Sequence, residues 1–195
     1  AAKYYKEAIE KDNADAMYNY AMMLQKGDGI PVNKKEAEKY YQMAIKKKHI
    51  NSMFNYALML YHGDGIPVDK KESSKYFQMA ADKGNIISMF NYGMMLFKGD
   101  GIPENKKESA KYFQLAADKG NADSIFNYAL MLFKGDGIQM NKKEAEKYYK
   151  KAIEKGVVSA MLNYAIIKYD GDGVKADKKE AAEYFKMAAD KGRSN

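Results

Sequence analysis

Cysteine is absent from the 195 residues, which excludes disulfides, thiol catalysis and cysteine-ligated zinc together. Histidine is almost absent. His49 falls between helices and His62 at a helix end, so they do not form the i, i+4 pair of a helical metal site. No metal or cofactor is therefore expected. Arg193 is the only arginine, so a net charge of +7 rests almost wholly on lysine. Arginine is the usual bidentate reader of guanine and phosphate, and lysines interleaved with Glu and Asp read as a solvated surface. Nucleic-acid binding is not expected. No apolar run approaches the roughly 20 residues of a membrane span, and membrane insertion is not expected either. No asparagine stands in an Asn-x-Ser/Thr sequon. With the lack of cysteine, this leans toward a reducing compartment, so the cytoplasm is the expected location. Ala1 in place of an initiator Met reads as the edge of a fragment, which leaves room for a targeting segment upstream.

What is present is a repeat. Gly-Asp-Gly begins at Gly27, Gly63, Gly99, Gly135 and Gly171, always 36 residues apart. Asn-Tyr recurs at Asn19, Asn55, Asn91, Asn127 and Asn163, and Lys-Lys-Glu at Lys34, Lys70, Lys106, Lys142 and Lys178. Such a period marks a repeat architecture. Hydrophobic residues at 46% and charged residues at 30% allow a buried core beneath a charged surface.

Each repeat reads as two helices. In residues 51–84, Met53, Tyr56, Ala57 and Leu60 share one face at i, i+3, i+4, i+7. Gly63 suits a C-terminal cap with positive φ, and Pro67 prevents continuation. Asp69 starts the second helix as N-cap, and Glu72 three residues later is expected to complete a capping box. Ser73, Tyr76, Phe77 and Ala80 form its buried stripe. Lys70, Lys71, Lys75, Gln78 and Asp82 are expected on the outer face, and Gly84 closes the helix. The first helix is apolar almost all round, so a lone hairpin cannot bury it but stacked hairpins can. The expected fold is all-α: a right-handed α-α superhelix of antiparallel helix pairs over 1–195. It has a partial leading repeat at 1–13 and full repeats at 14–49, 50–85, 86–121, 122–157 and 158–193. In the last repeat Lys168 replaces Leu, Asp170 replaces Lys and Glu183 replaces Lys, which reads as drift toward a polar capping surface.

The fourth copy carries a family pattern: Ser124, Tyr128, Ala129, Leu132, Gly135, Gly137 and Ile138, then Ala145, Tyr148, Tyr149, Ala152 and Gly156. It resembles the Sel-one-like repeat, a relative of the tetratricopeptide repeat. The resemblance implies first helices on a concave side and an adaptor role in protein complexes. Some secreted bacterial members carry a disulfide in each repeat, and this chain departs from that branch. Tyr20 and its equivalents stand where the family commonly has Leu.

Catalysis finds no candidates. Gly-Asp-Gly lacks the spacing of a phosphate loop or an EF-hand, and five copies at helix junctions read as turns. Identical units also make one asymmetric active site hard to build, so no enzyme is expected. The 14 Met residues, Met53, Met79, Met89 and Met187 among them, read as core filling rather than a contact surface, and most of the 17 Tyr likewise.

The functional signal lies on the first helices, opposite the core stripe. Steps of 100° place Asn51, Asn55, Leu58 and His62 on one face. Its counterparts are Asp15, Asn19, Met22 and Lys26; Ile87, Asn91, Met94 and Lys98; Asp123, Asn127, Leu130 and Lys134; and Ser159, Asn163, Ile166 and Asp170. The Asn never varies within the chain, whereas its first neighbours do. A protein or peptide partner with acidic and apolar residues fits an amide row, an apolar row and a mostly basic row. Two readings stay open for the Asn row: ligand contact, or a bond from each Asn to the backbone of an adjacent repeat. The alternative function is a structural component packing through repeat ends or the convex face.

Overall fold

Capping chemistry sets the helix ends. The computed structural model describes residues 1–192, and among these eleven helices form and no strand. They are α1 (Ala2–Glu10), α2 (Ala14–Lys26), α3 (Lys34–Lys46), α4 (Ile50–His62), α5 (Lys70–Asp82), α6 (Ile86–Lys98), α7 (Lys106–Asp118), α8 (Ala122–Lys134), α9 (Lys142–Glu154), α10 (Val158–Asp170) and α11 (Lys178–Gly192). The expected repeat boundary at 193 lies outside the described residues. The chain gathers into two compact units. The first comprises Ala1–Met95 with Gly99–Pro103, and the second Leu96–Lys98 with the chain from Glu104 on.

The even-numbered first helices α2 to α10 end at Gly27, Gly63, Gly99, Gly135 and Gly171, all left-handed with φ between 67° and 75°. Second helices α3, α5, α7 and α9 start at Asn33, Asp69, Asn105 and Asn141, whose side chains accept the N–H of Glu36, Glu72, Glu108 and Glu144. Only half of the expected capping box forms. The Asp69 N–H donates to Leu60 O at 2.9 Å, in the last turn of the preceding helix, and Asn33 donates likewise to Leu24 O. With that donor taken, Glu72 pairs instead with Lys75 at 2.5 Å.

The two helices of a repeat run antiparallel, with Ser73 Oγ donating to Ala57 O at 2.7 Å inside the pair. In the first unit α2 packs on α3, α3 on α4 and α4 on α5; in the second α8 packs on α9, α9 on α10 and α10 on α11. Small residues permit this approach: Ala21, Ala37, Ala44 and Ala57 are fully buried, as are Ala129, Ala145, Ala152 and Ala165. The tyrosines at the usual Leu position have a defined role. Tyr20–Tyr40, Tyr56–Tyr76, Tyr128–Tyr148 and Tyr164–Tyr184 each meet edge to face with ring centroids 4.9 Å apart.

Three expectations from sequence are corrected. Met79 and Met187 are exposed, not core, because each sits one 100° step from a core-facing alanine, Ala80 or Ala188. Lys168 is no surface cap. It is 9% exposed and lies between Glu146 (3.3 Å) and Glu180 (3.1 Å), which neutralise it in a position that is Leu in the other repeats. Asp170 and Glu183, its fellow replacements, are exposed. Lys70 does not point outward with Lys71; it turns to Asp100 of the next Gly-Asp-Gly turn, as Lys34 turns to Asp64.

Candidate partner-binding face

Once the core stripe and the neighbouring helices are accounted for, one face of each first helix remains open. In the first unit it holds Asn19, Met22 and Lys26 on α2, Asn51, Asn55, Leu58 and His62 on α4, and Ile87, Asn91 and Met94 on α6. In the second it holds Lys98 at the end of α6, Asp123, Asn127, Leu130 and Lys134 on α8, and Asn163, Ile166 and Asp170 on α10. The rows have graded depth. All five Asn are half-buried, as are Met22, Leu58, Met94 and Leu130. Lys26, His62, Lys98, Lys134 and Asp170 are exposed, and so are Asn51, Ile87 and Asp123. Wet charges thus rim a partly dry floor.

The invariant Asn does not make one fixed bond. Asn55 Nδ2 reaches across the first unit to Tyr18 Oη at 3.3 Å and Met22 Sδ at 3.0 Å. Asn127 Nδ2 instead donates to Asp123 O at 2.8 Å, one turn back in its own helix. Neither amide bonds to the backbone of an adjacent repeat. His49 is engaged in folding: its Nδ1 accepts the Ser52 N–H as N-cap of α4, and its Nε2 lies 3.1 Å from Asp15 Oδ1.

The second unit carries a pocket of about 220 Å³ on this face. Leu130, Lys134, Asn163, Ile166 and Asp170 line it, with Phe133, Tyr149, Ile167 and Asp172. The last four were missed from sequence. Position 133 carried a signal, since Tyr61, Phe97, Phe133 and Tyr169 share that register. Asp172 reaches the pocket because its pairing with Lys142 holds the turn there, and Lys142 also lies 5.1 Å above the Phe133 ring.

The same staple tunes the turn in the first unit. The hydrogen bond from Lys34, then that from Gln25, holds the Asp64 carboxyl below the usual range. Burial pushes the Tyr56 hydroxyl up to about 12, with its hydrogen bond to Glu38 adding to the rise. Among the described residues, no three His, Asp or Glu side chains come together as a metal would need, and no helix is long and apolar enough to cross a membrane.

The Sel1 repeat model matches residues 14–49, 50–85, 86–121, 122–157 and 158–192. Among solved structures, the chain is similar to a protective antigen present in uropathogenic Escherichia coli strains that displays an SLR fold. Identity is 27% and the TM-score 0.90, over 97% of this chain and 41% of that one. It is also similar to a Sel1 repeat protein from Oxalobacter formigenes at 24% identity and TM-score 0.87, over 97% of this chain and 80% of that one. Helicobacter pylori cysteine rich protein B matches at 20% identity and TM-score 0.52, over 64% of this chain and 94% of that one. The last two likenesses concern the fold alone. The chain spans less than half the length of the first of these structures. No curated protein matches. The helix pairs, repeating about every 36 residues, are those of the SLR helical solenoids.

Proposed function

Because the chain belongs to the Sel1 repeat family, whose members are generally non-catalytic protein-interaction scaffolds, we propose that it holds a protein or peptide partner along the open face of its first helices. One observation carries this reading: a half-buried amide and apolar floor, rimmed by exposed charge, recurs on successive first helices. An amide offers both a donor and an acceptor, so the Asn row suits an extended backbone or a terminal carboxylate. Leu58 and Leu130 offer shallow apolar contact. Lys26, Lys98 and Lys134 favour acidic segments and speed their encounter. The fitting ligand is a peptide with acidic and apolar residues rather than a nucleic acid. A cytoplasmic partner belongs to the same reading and rests on the absence of cysteine.

Affinity capture with quantitative mass spectrometry tests it. Leu58→Asp with Leu130→Asp places charge on both floors and should remove the captured partners, with circular dichroism unchanged. Lys71→Ala with Lys107→Ala, exposed on second helices, should leave capture intact. The reverse pattern would move the partner to the outer face. A second reading, packing as a structural component through a repeat end, has one observation in its favour: α10 leaves Leu162, Ile166 and Tyr169 at 42%, 49% and 51% exposure.

A further inference from the structure

The pocket in the second unit has a polarity that the rest of the face lacks. Lys134 and Asp170 occupy the same position one repeat apart, in the last turns of α8 and α10, and both line it. At the other copies of that position stand Lys26, His62 and Lys98, so Asp170 alone inverts the sign. The inversion has no structural partner: among the described residues Asp170 makes no ion pair, and neither does Lys134, with each other or with a neighbour. Asp172 differs, since its carboxylate is engaged by Lys142. Two exposed, opposite, uncommitted charges therefore flank one apolar floor of Leu130, Phe133 and Ile166.

Size narrows what fits between them. An apolar cavity of roughly 150 Å³ holds a benzene molecule, while pockets for drug-sized ligands begin near 300 Å³. A pocket of about 220 Å³ matches one Leu- or Phe-sized side chain. Ile166, 49% exposed, would be covered by such an insertion.

We infer that this pocket takes a single apolar side chain of a bound peptide, with an acidic residue on its α8 flank beside Lys134 and a basic residue on its α10 flank beside Asp170. The inference rests on reading the first-helix face as the partner surface, and it adds a ligand pattern that the basic row alone would not select. A uniformly basic row selects acidic residues throughout. The inverted last position selects a bipolar segment and fixes its placement relative to the repeats.

The test uses the full 195-residue chain and a displayed library of 12-residue peptides with a fixed central Leu or Phe and random flanks. The wild-type chain should enrich peptides with Asp or Glu on one flank and Lys or Arg on the other. Asp170→Lys restores the sign found at Lys134, and a cation in the last turn of a helix suits its dipole, so the fold is not at risk. This variant should enrich peptides acidic on both flanks. It should also bind a synthetic copy of a wild-type-selected peptide about fivefold more weakly, the scale of one exposed charge pair. Leu130→Asp should lose both sets. If wild type and Asp170→Lys select the same flanks while Leu130→Asp loses them, the polarity inference is overturned and the partner face stands. If wild type enriches no peptide, or Leu130→Asp retains them all, both are overturned.

Discussion

Lys70 Nζ donates to Asp100 Oδ1 at 2.7 Å, which ties the start of a second helix to the Gly-Asp-Gly turn of the next repeat. The tie repeats as Lys34–Asp64, Lys106–Asp136 and Lys142–Asp172. It accounts for the second glycine of the motif. A Cβ on Gly101 would fall inside the Lys70 side chain, and φ there is 76°. The turn is glycine because it must lie directly on the preceding helix, with Tyr61 Oη donating to the same Asp100 carboxylate.

Gly29 offers the control, since its φ is 70° but a Cβ there meets nothing within 4 Å. Gly29→Ala should cost only the backbone term, about 1 kcal/mol. Gly101→Ala should cost at least about 1 kcal/mol more, because Lys70 and its backbone must move. Urea midpoints decide it, and equal losses would show that the close approach does not matter.

The staple also has a pH signature. Asp64 has a folded pKa below its ordinary value of 3.8, through Lys34 first and Gln25 second. A depressed carboxyl contributes stability above its unfolded pKa and loses it as pH falls through the folded one. The stability gap between wild type and Asp64→Asn should therefore be constant above about pH 5 and close progressively in more acid solution. Urea titrations across that range should show the gap closing; a gap that widens in acid would contradict the assignment.

Much of this was legible in the sequence, and the limits are physical. The period, the caps and the helix pairs follow from local patterns such as Asn-Tyr, Asp69 with Glu72, and Gly63. Lys70–Asp100 was invisible because its partners are separated by a hairpin whose packing on the next turn no local rule encodes. Lys168 misled because a lysine replacing leucine looks like surface until Glu146 and Glu180 are seen closing on it from α9 and α11. The five open faces were placed by the helical wheel. The pocket beside Ile166 was not, since its floor draws on Tyr149 from a different helix.

That buried lysine gives a sharper stability test. Burial works against the charge of Glu146, but Lys168 overcomes it and holds the carboxyl below its usual range. Lys168→Leu restores the residue of the other repeats yet leaves Glu180 without an ion pair among the described residues, while Glu146 keeps Lys150 at 3.5 Å. We expect a loss of about 1–2 kcal/mol, below the figure for fully buried pairs because the glutamates retain solvent contact. Adding Glu180→Ala, which removes the carboxylate left without an ion pair, should recover most of it, which a double-mutant cycle in urea would read directly.

Two serines should be better as alanines. Ser88 and Ser124 are fully buried, and their hydroxyl oxygens have no hydrogen-bond partner. Ala16 and Ala160 fill the same position in other repeats, and Ser52 alone is satisfied, by His49 at 2.8 Å. Ser124→Ala should raise stability by up to about 1 kcal/mol, whereas Ser52→Ala should lower it. Thermal midpoints of the two variants moving in the same direction would count against this.

The invariant Asn row is where stability and binding can be separated, because two of its members are bonded differently. Asn55 bridges α4 to Tyr18 on α2, so Asn55→Ala removes a contact between repeats and should cost about 1 kcal/mol of stability. Asn127 donates only back to Asp123 O in its own helix, a bond that competes with helix geometry rather than joining elements. Asn127→Ala should leave stability within about 0.5 kcal/mol, since alanine is the better helix former. If the row contacts a ligand, Asn127→Ala should nonetheless weaken peptide capture by roughly 1 kcal/mol, and by about 2 kcal/mol, close to thirtyfold, with Asn163→Ala added. Stability from urea titration and affinity from the display-selected peptide measure the two effects independently. Unchanged affinity in the Asn127→Ala, Asn163→Ala pair would reduce the row to a packing feature and leave the apolar floor and the charged rim as the recognition surface.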